Sequence, residues 1–126
     1  MVVPIPLHPR RLRWRGFNQS ALLAGHIAAN LLPQNPLPFD ENMLVRKRYT
    51  PPQMEISNYQ NRKQNIAGAF SLAGRKDVRN KTVLLIDDVA TTGSTIFECA
   101  RVLKAAGARE VFAAVIARQE IKSQRQ

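Results

Sequence analysis

Apolar positions along this chain follow two different rhythms. Residues 2–5, 83–87 and 111–117 are apolar strand-like runs, and the continuous β-rich run at 82–86 is the pattern of a strand buried on both faces. Between the last two runs, Ile96, Cys99, Ala100, Leu103 and Ala106 recur at helical spacing, and Gly107 is placed to stop that helix. Strand, helix and strand with a short return predict a right-handed βαβ unit. The expected fold class is therefore α/β, a parallel sheet flanked by helices.

A second helix is expected from Asn18, whose short side chain can cap a first turn. Phe17 and Leu22 flank that cap as a hydrophobic staple would, and Leu23, Ile27, Ala28 and Leu31 continue the stripe until Pro33 ends it. Before it, the stretch PLHPRRLRWRG is expected as a basic loop, because Pro6 and Pro9 push the residues preceding them out of helical conformation. A proline-rich connection at 33–41 leads into an extended segment at 43–46. Ser57 and Gln60 form a capping box, so a modest helix is expected over 58–66, with Gly68 ending it and a strand at 69–72. The organisation is one domain over 1–118 followed by a frayed tail at 119–126.

Charge changes the picture more than composition does. The chain has 126 residues and a formal charge of +10, and its first 39 residues contain no acid. Arg10, Arg11, Arg13 and Arg15 crowd into six positions around Trp14. Such a field attracts polyanions: nucleic acid, anionic lipid or a phosphate-rich small molecule. The arginines serve a pyrophosphate site, bind DNA or merely solvate the surface; the charge alone does not choose. Trp14 either stacks on a base or packs on an arginine stem. No apolar run approaches the length of a membrane helix, so no membrane insertion is expected. A single cysteine excludes an internal disulfide and a thiolate zinc cage, and a reducing, cytoplasmic location fits best.

The chemistry concentrates in VLLIDDVATTGST, residues 83–95. Asp87 and Asp88 stand together at the end of a buried strand, where ligands bind in open parallel sheets. Thr91, Thr92, Gly93, Ser94 and Thr95 then lead into a helix N-terminus, where amides and hydroxyls can wrap an anion. One half is an anion cradle and the other an acidic shelf. A ribose 5-phosphate matches both, with its phosphate on the loop and its hydroxyls on the acids. If C1 carries pyrophosphate, Mg²⁺ is needed to screen it, held by Asp87 and Asp88 through water. The chain has neither a P-loop nor a dinucleotide fingerprint.

That segment resembles the phosphoribosyl pyrophosphate (PRPP) motif of type I phosphoribosyltransferases. The chain as a whole is similar to the ComF/GntX branch, through VPIPLHPRRLRWRGFNQSALLA, YTPPQ, NRKQNIAGAF and ECARVLKAAGA. The resemblance implies a type I phosphoribosyltransferase-like core in which Asp87 and Asp88 hold the ribose hydroxyls and the 91–95 loop holds the 5-phosphate. It also implies a pyrophosphate loop at 6–10, including Leu7, His8 and Arg10 and often built on a strained or cis peptide. A mobile loop over 46–70 would contribute Arg62 and Gln64. Family members usually begin with a Cys-rich zinc-binding segment, so the chain resembles a product truncated at its N-terminus. Purine-salvage enzymes carry an acidic base where this chain has Thr91, which argues against simple purine salvage. Two functions stay open. One is a PRPP-binding, phosphoribosyltransferase-like enzyme, a pentosyl glycosyltransferase, of the competence and DNA-uptake type. The other is a non-catalytic accessory protein that binds single-stranded DNA through Arg10, Arg11, Arg13, Trp14 and Arg15, beside a DNA-uptake partner protein.

Overall fold

The computed structural model describes residues 1–48, 66–90 and 92–118. Strands β1 (Val2–Pro4), β4 (Thr82–Ala90) and β5 (Glu110–Arg118) form a parallel sheet in the order β1-β4-β5. Strands β2 (Leu44–Arg46) and β3 (Phe70–Leu72) form a separate antiparallel pair. Helices α1 (Pro9–Arg15), α2 (Gln19–Asn30) and α3 (Ser94–Ala105) complete the described elements. The expected α/β class with a parallel sheet is what the chain forms. No described helix is long and apolar enough to cross a membrane.

The aliphatic runs build two cores because successive strand residues point to opposite faces. Val2 and Ile86 pack with Ala24 and Ala28 of α2 on one face. Val3, Ile5, Val83 and Leu85 pack with Cys99 and Leu103 of α3 on the other, together with Met43, Leu44 and Phe70 from the β2–β3 region. The helix–sheet–helix layering follows directly from that alternation. Cys99 is buried and its thiol is pushed up by burial, so it behaves as a small core residue.

Three expectations need correction. The basic stretch 9–15 is a helix, not a loop. Pro9 occupies its first turn, where a missing N–H costs nothing and a fixed φ helps. His8 remains extended and caps the helix, its Nδ1 accepting the Arg10 amide at 3.1 Å, and Gly16 closes it in the left-handed region at φ 84°. Second, the buried stripe of α2 is Ser20, Ala24 and Ala28 rather than one reaching Leu31, which is 58% exposed at the helix end. Small residues every four positions bring this helix close to the sheet. Third, β4 does not stop at residue 87 but runs on to Ala90, paired all the way with β5. The expected helix at 58–66 and the tail at 119–126 lie outside the described residues.

Strand β5 stands apart. All its residues except the half-buried Val111 are exposed, with Phe112 and Ile116 at 56% and 65%. Among the described residues its outer edge has no strand partner.

Candidate functional site

The site lies where β1 ends and β4 continues. Strand β1 pairs with β4 as far as Ile86, and the Ile5 amide still donates to the Ile86 carbonyl at 2.9 Å. Beyond that point β4 carries Asp87 and Asp88 with only β5 beside it among the described residues. The acids therefore sit past the carboxyl end of the neighbouring strand β1, at the end of the sheet where open parallel sheets bind ligands.

Each carboxylate is held by backbone amides. Asp87 Oδ1 accepts the Asp88 amide at 2.9 Å, and Asp88 Oδ1 accepts the Val89 amide at 2.9 Å. Helix α2 supplies a third group, the Ser20 hydroxyl, 3.2 Å from Asp87 Oδ1 and 3.5 Å from Asp88 Oδ1. The Asp87 carboxyl is pushed up to about 6, first by burial and then by the adjacent Asp88, against the opposing pull of the Ser20 hydroxyl.

Ser20 was invisible to periodicity. Its signal was a hydroxyl in register with Ala24 and Ala28, four residues apart, on the face that α2 buries. Asn18 was expected as the cap and is one, accepting the Ser20 and Ala21 amides at 3.0 and 3.4 Å. Its Nδ2 also donates to the Ile5 carbonyl at 3.1 Å, fastening α2 to the end of β1.

The descent from the acids into α3 has the features of an anion cradle. Gly93 is the N-cap at φ 80° and, having no side chain, makes no cap bond itself. Thr92 Oγ1 lies 2.8 Å from Ser94 Oγ and accepts the Ser94 amide at 3.3 Å. A Cβ at Gly93 would come within 3.2 Å of the Phe97 ring. Thr95 lies in the first turn of α3, while Thr91 lies outside the described residues.

The arginines fall on α1, which buries none of its residues, and Trp14 is 85% exposed there, too open to be packed on an arginine stem. Leu7 and His8 are half-buried between β1 and α1. No cis peptide or left-handed residue occurs over 6–10, contrary to the strained loop that the resemblance implied. Arg62 and Gln64 lie outside the described residues, whereas Arg46 and Phe70, the bounds of the expected mobile loop, are register partners in β2 and β3. His26 bonds to Asn30 on its own helix, a structural role. No group of three or more metal-ligating side chains is found among the described residues. Two adjacent carboxylates are too few for a closed protein cage. They suit an Mg²⁺ ion that keeps its waters and takes remaining ligands from a phosphate.

A parallel sheet carrying two acids on β4, followed by a glycine turn into a helix N-terminus, defines a phosphoribosyl transferase domain. The profile of that family matches residues 18–125, and the chain belongs to it. The similarity to the ComF/GntX branch is equally direct. The chain is 35% identical over 111 residues to Competence protein F of Haemophilus influenzae, covering 87% of this chain and 46% of that protein. It is 38% identical over 110 residues to the DNA utilization protein YhgH of Escherichia coli K12, covering 87% and 45%. It thus spans just under half the length of these curated relatives. Among solved structures, a purine phosphoribosyltransferase from Pyrococcus horikoshii Ot3 aligns with 86% of this chain and 66% of its own, at 20% identity and a TM-score of 0.47.

Proposed function

We propose that this domain binds a ribose 5-phosphate, in its fullest form PRPP, and does so with Mg²⁺. The observation that carries this reading is the continuity of Asp87 and Asp88 with the glycine turn that opens α3 at Gly93. The acids offer acceptors to two neighbouring hydroxyls, and the turn offers Thr92, Gly93, Ser94 and Thr95 to a phosphate, with Thr91 completing the loop. Asp87 and Asp88 would hold Mg²⁺ through water. When bound, that ion would screen the charge of a pyrophosphate. Leu7, His8 and Arg10, which follow β1 in the chain, would serve as the pyrophosphate loop in this reading. The Arg10 amide there is already engaged by His8. Arg62 and Gln64 belong to this reading as further anion contacts. Membership of a transferase family supports a transferase ancestry, while fold alone does not fix the reaction.

A second reading rests on a separate observation. Helix α1 buries nothing and presents Arg10, Arg11, Arg13 and Arg15 around an 85% exposed Trp14. Basic groups beside a free indole suit single-stranded nucleic acid, with phosphates on the arginines and a base on the ring. The relatives named for competence and for DNA utilization suit a role in handling DNA, and a DNA-uptake partner protein belongs to this reading.

Calorimetric titration separates the two readings. PRPP with Mg²⁺, ribose 5-phosphate with Mg²⁺, and a single-stranded oligonucleotide are each added to the purified chain at two salt concentrations. The first reading expects saturable binding of both sugar phosphates, and their failure to bind overturns it. The second expects oligonucleotide binding that weakens steeply with salt and is lost when Arg13 and Arg15 become glutamate.

A further inference from the structure

The acid pair is not held by its own strand alone. Ser20 is 4% exposed and lies 67 residues from Asp87 in the chain, yet its hydroxyl meets both acids. It also accepts the Asp88 amide at 3.3 Å. Hydroxyls inside helices commonly bond back to the carbonyl four residues earlier. At the second position of α2 no such helical carbonyl exists, and the Ser20 hydroxyl reaches across to β4 instead.

A hydroxyl has one proton and two lone pairs. The Ser20 proton therefore reaches one carboxylate at a time, while a lone pair receives the Asp88 amide. Packing does not require this hydroxyl, since Ala24 and Ala28 fill the equivalent places one and two turns later. The same turn is anchored through Asn18 to the Ile5 carbonyl. The end of β1, the start of α2 and the two acids form one bonded chain.

We infer that Ser20 is a positioning residue for the acid pair. It keeps Oδ1 of Asp87 and of Asp88 turned toward α2, which leaves the second oxygen of each for ligand hydroxyls and water. Ser20 does not itself touch the ligand. The inference rests on the proposed ribose-phosphate reading of these acids.

The test is a double-mutant cycle in the full chain, with ribose 5-phosphate and Mg²⁺ as the probe. S20A is expected to weaken binding about 3- to 10-fold, the scale of one lost hydrogen bond. In a D87N background the same change is expected to weaken it by a smaller factor, because the charge-assisted bond to Asp87 has become a neutral one while the contacts to Asp88 remain. S20C, which keeps the size but is a weaker donor, is expected to fall between the two and serves if S20A does not fold. Wild-type affinity in S20A, or an equal loss with and without D87N, overturns the inference. Failure of the wild type to bind the probe refutes the ribose-phosphate reading instead. Ser20 is then judged by hydrogen exchange at the Asp88 amide. Exchange several-fold faster in S20A than in wild type supports its positioning role, and an unchanged rate refutes it.

Discussion

Arg46 and Phe70 are register partners across the β2–β3 ladder, and the Arg46 guanidinium carbon lies 5.3 Å from the centre of the Phe70 ring. Both residues are buried. Next to them the Lys47 amide donates to the Ala69 carbonyl at 2.7 Å, and Arg48 Nη2 donates to the Ala67 carbonyl at 2.9 Å. The chain between 48 and 67 thus leaves and returns through one fastened base. F70A is expected to lose about 3–5 kcal/mol, since it empties a core position and removes the cation–π contact. F70L should lose roughly 1.5 kcal/mol or less. Urea unfolding of both variants checks the ranking, and equal losses would show that the ring and its cation–π contact matter rather than the volume.

The pH dependence of stability has a sign fixed by Asp87. Its carboxyl is raised from an ordinary 3.8 to about 6, so the folded chain holds the proton more tightly than the unfolded chain. The resulting stabilisation is complete below about pH 4 and is lost as pH rises through 6. Asp40, Asp77 and Glu98 are shifted downward by Lys76, Arg79 and Arg101 and contribute the opposite trend at lower pH. D87N isolates the Asp87 part. Above pH 7 it should be more stable than wild type by about 1–2 kcal/mol, with the gap closing toward pH 4. Thermal melts of the pair at several pH values measure that gap.

Ligand binding should run the other way. D88N keeps the shape of the acid and the fold should survive. It removes a charge-assisted contact to a ribose hydroxyl or to hydrated Mg²⁺, about 1.5–3 kcal/mol, or roughly ten- to a hundredfold in affinity. Unchanged ribose 5-phosphate affinity together with a lower melting temperature would make the acid structural.

Gly93 sits at φ 80° with the Phe97 ring on the side where a Cβ would point. G93V combines left-handed strain with that clash, so a loss of more than about 1 kcal/mol of stability is expected. G93V in an F97A background relieves only the clash. If the double variant recovers all the stability, backbone strain at this turn is negligible. Neither variant should bind a 5-phosphate as wild type does, because the branched side chain occupies the cradle.

Replacing Arg13 and Arg15 by glutamate should leave the melting temperature nearly unchanged, since α1 buries nothing. Any oligonucleotide affinity should fall, and with it the slope of log affinity against log salt, by about 1 for each phosphate contact removed. Binding measured from 50 to 200 mM salt reads both quantities.

Strand β4 was legible because a strand covered on both faces has no polar positions to obscure it, whereas the equally apolar β5 is exposed. Leu85 and Ile86 are both buried although they point opposite ways. The acid pair was legible because charge at the end of such a run has no packing explanation. Helix α1 was misread because proline was weighed as a breaker, when at a first helical position it is compatible with the helix. Ser20 was missed for a different reason. Its role depends on a contact between chain positions 20 and 87, and no local pattern encodes the approach of α2 to β4.

Strand β5 gives the site a dependence of its own. Among the described residues, β4 has a strand on one side only from Asp87 to Ala90, and that strand is exposed on both faces. Fraying of β5 and loosening of the acids are therefore a single local equilibrium observed from two ends. Whatever orders Asp87 and Asp88 also slows hydrogen exchange at Val115 and Ala117. A ligand present at a hundred times its dissociation constant would hold the strand down by about 2.7 kcal/mol, provided it binds only the closed form. If the acids bind a ligand as proposed, the edge of the sheet would report its presence.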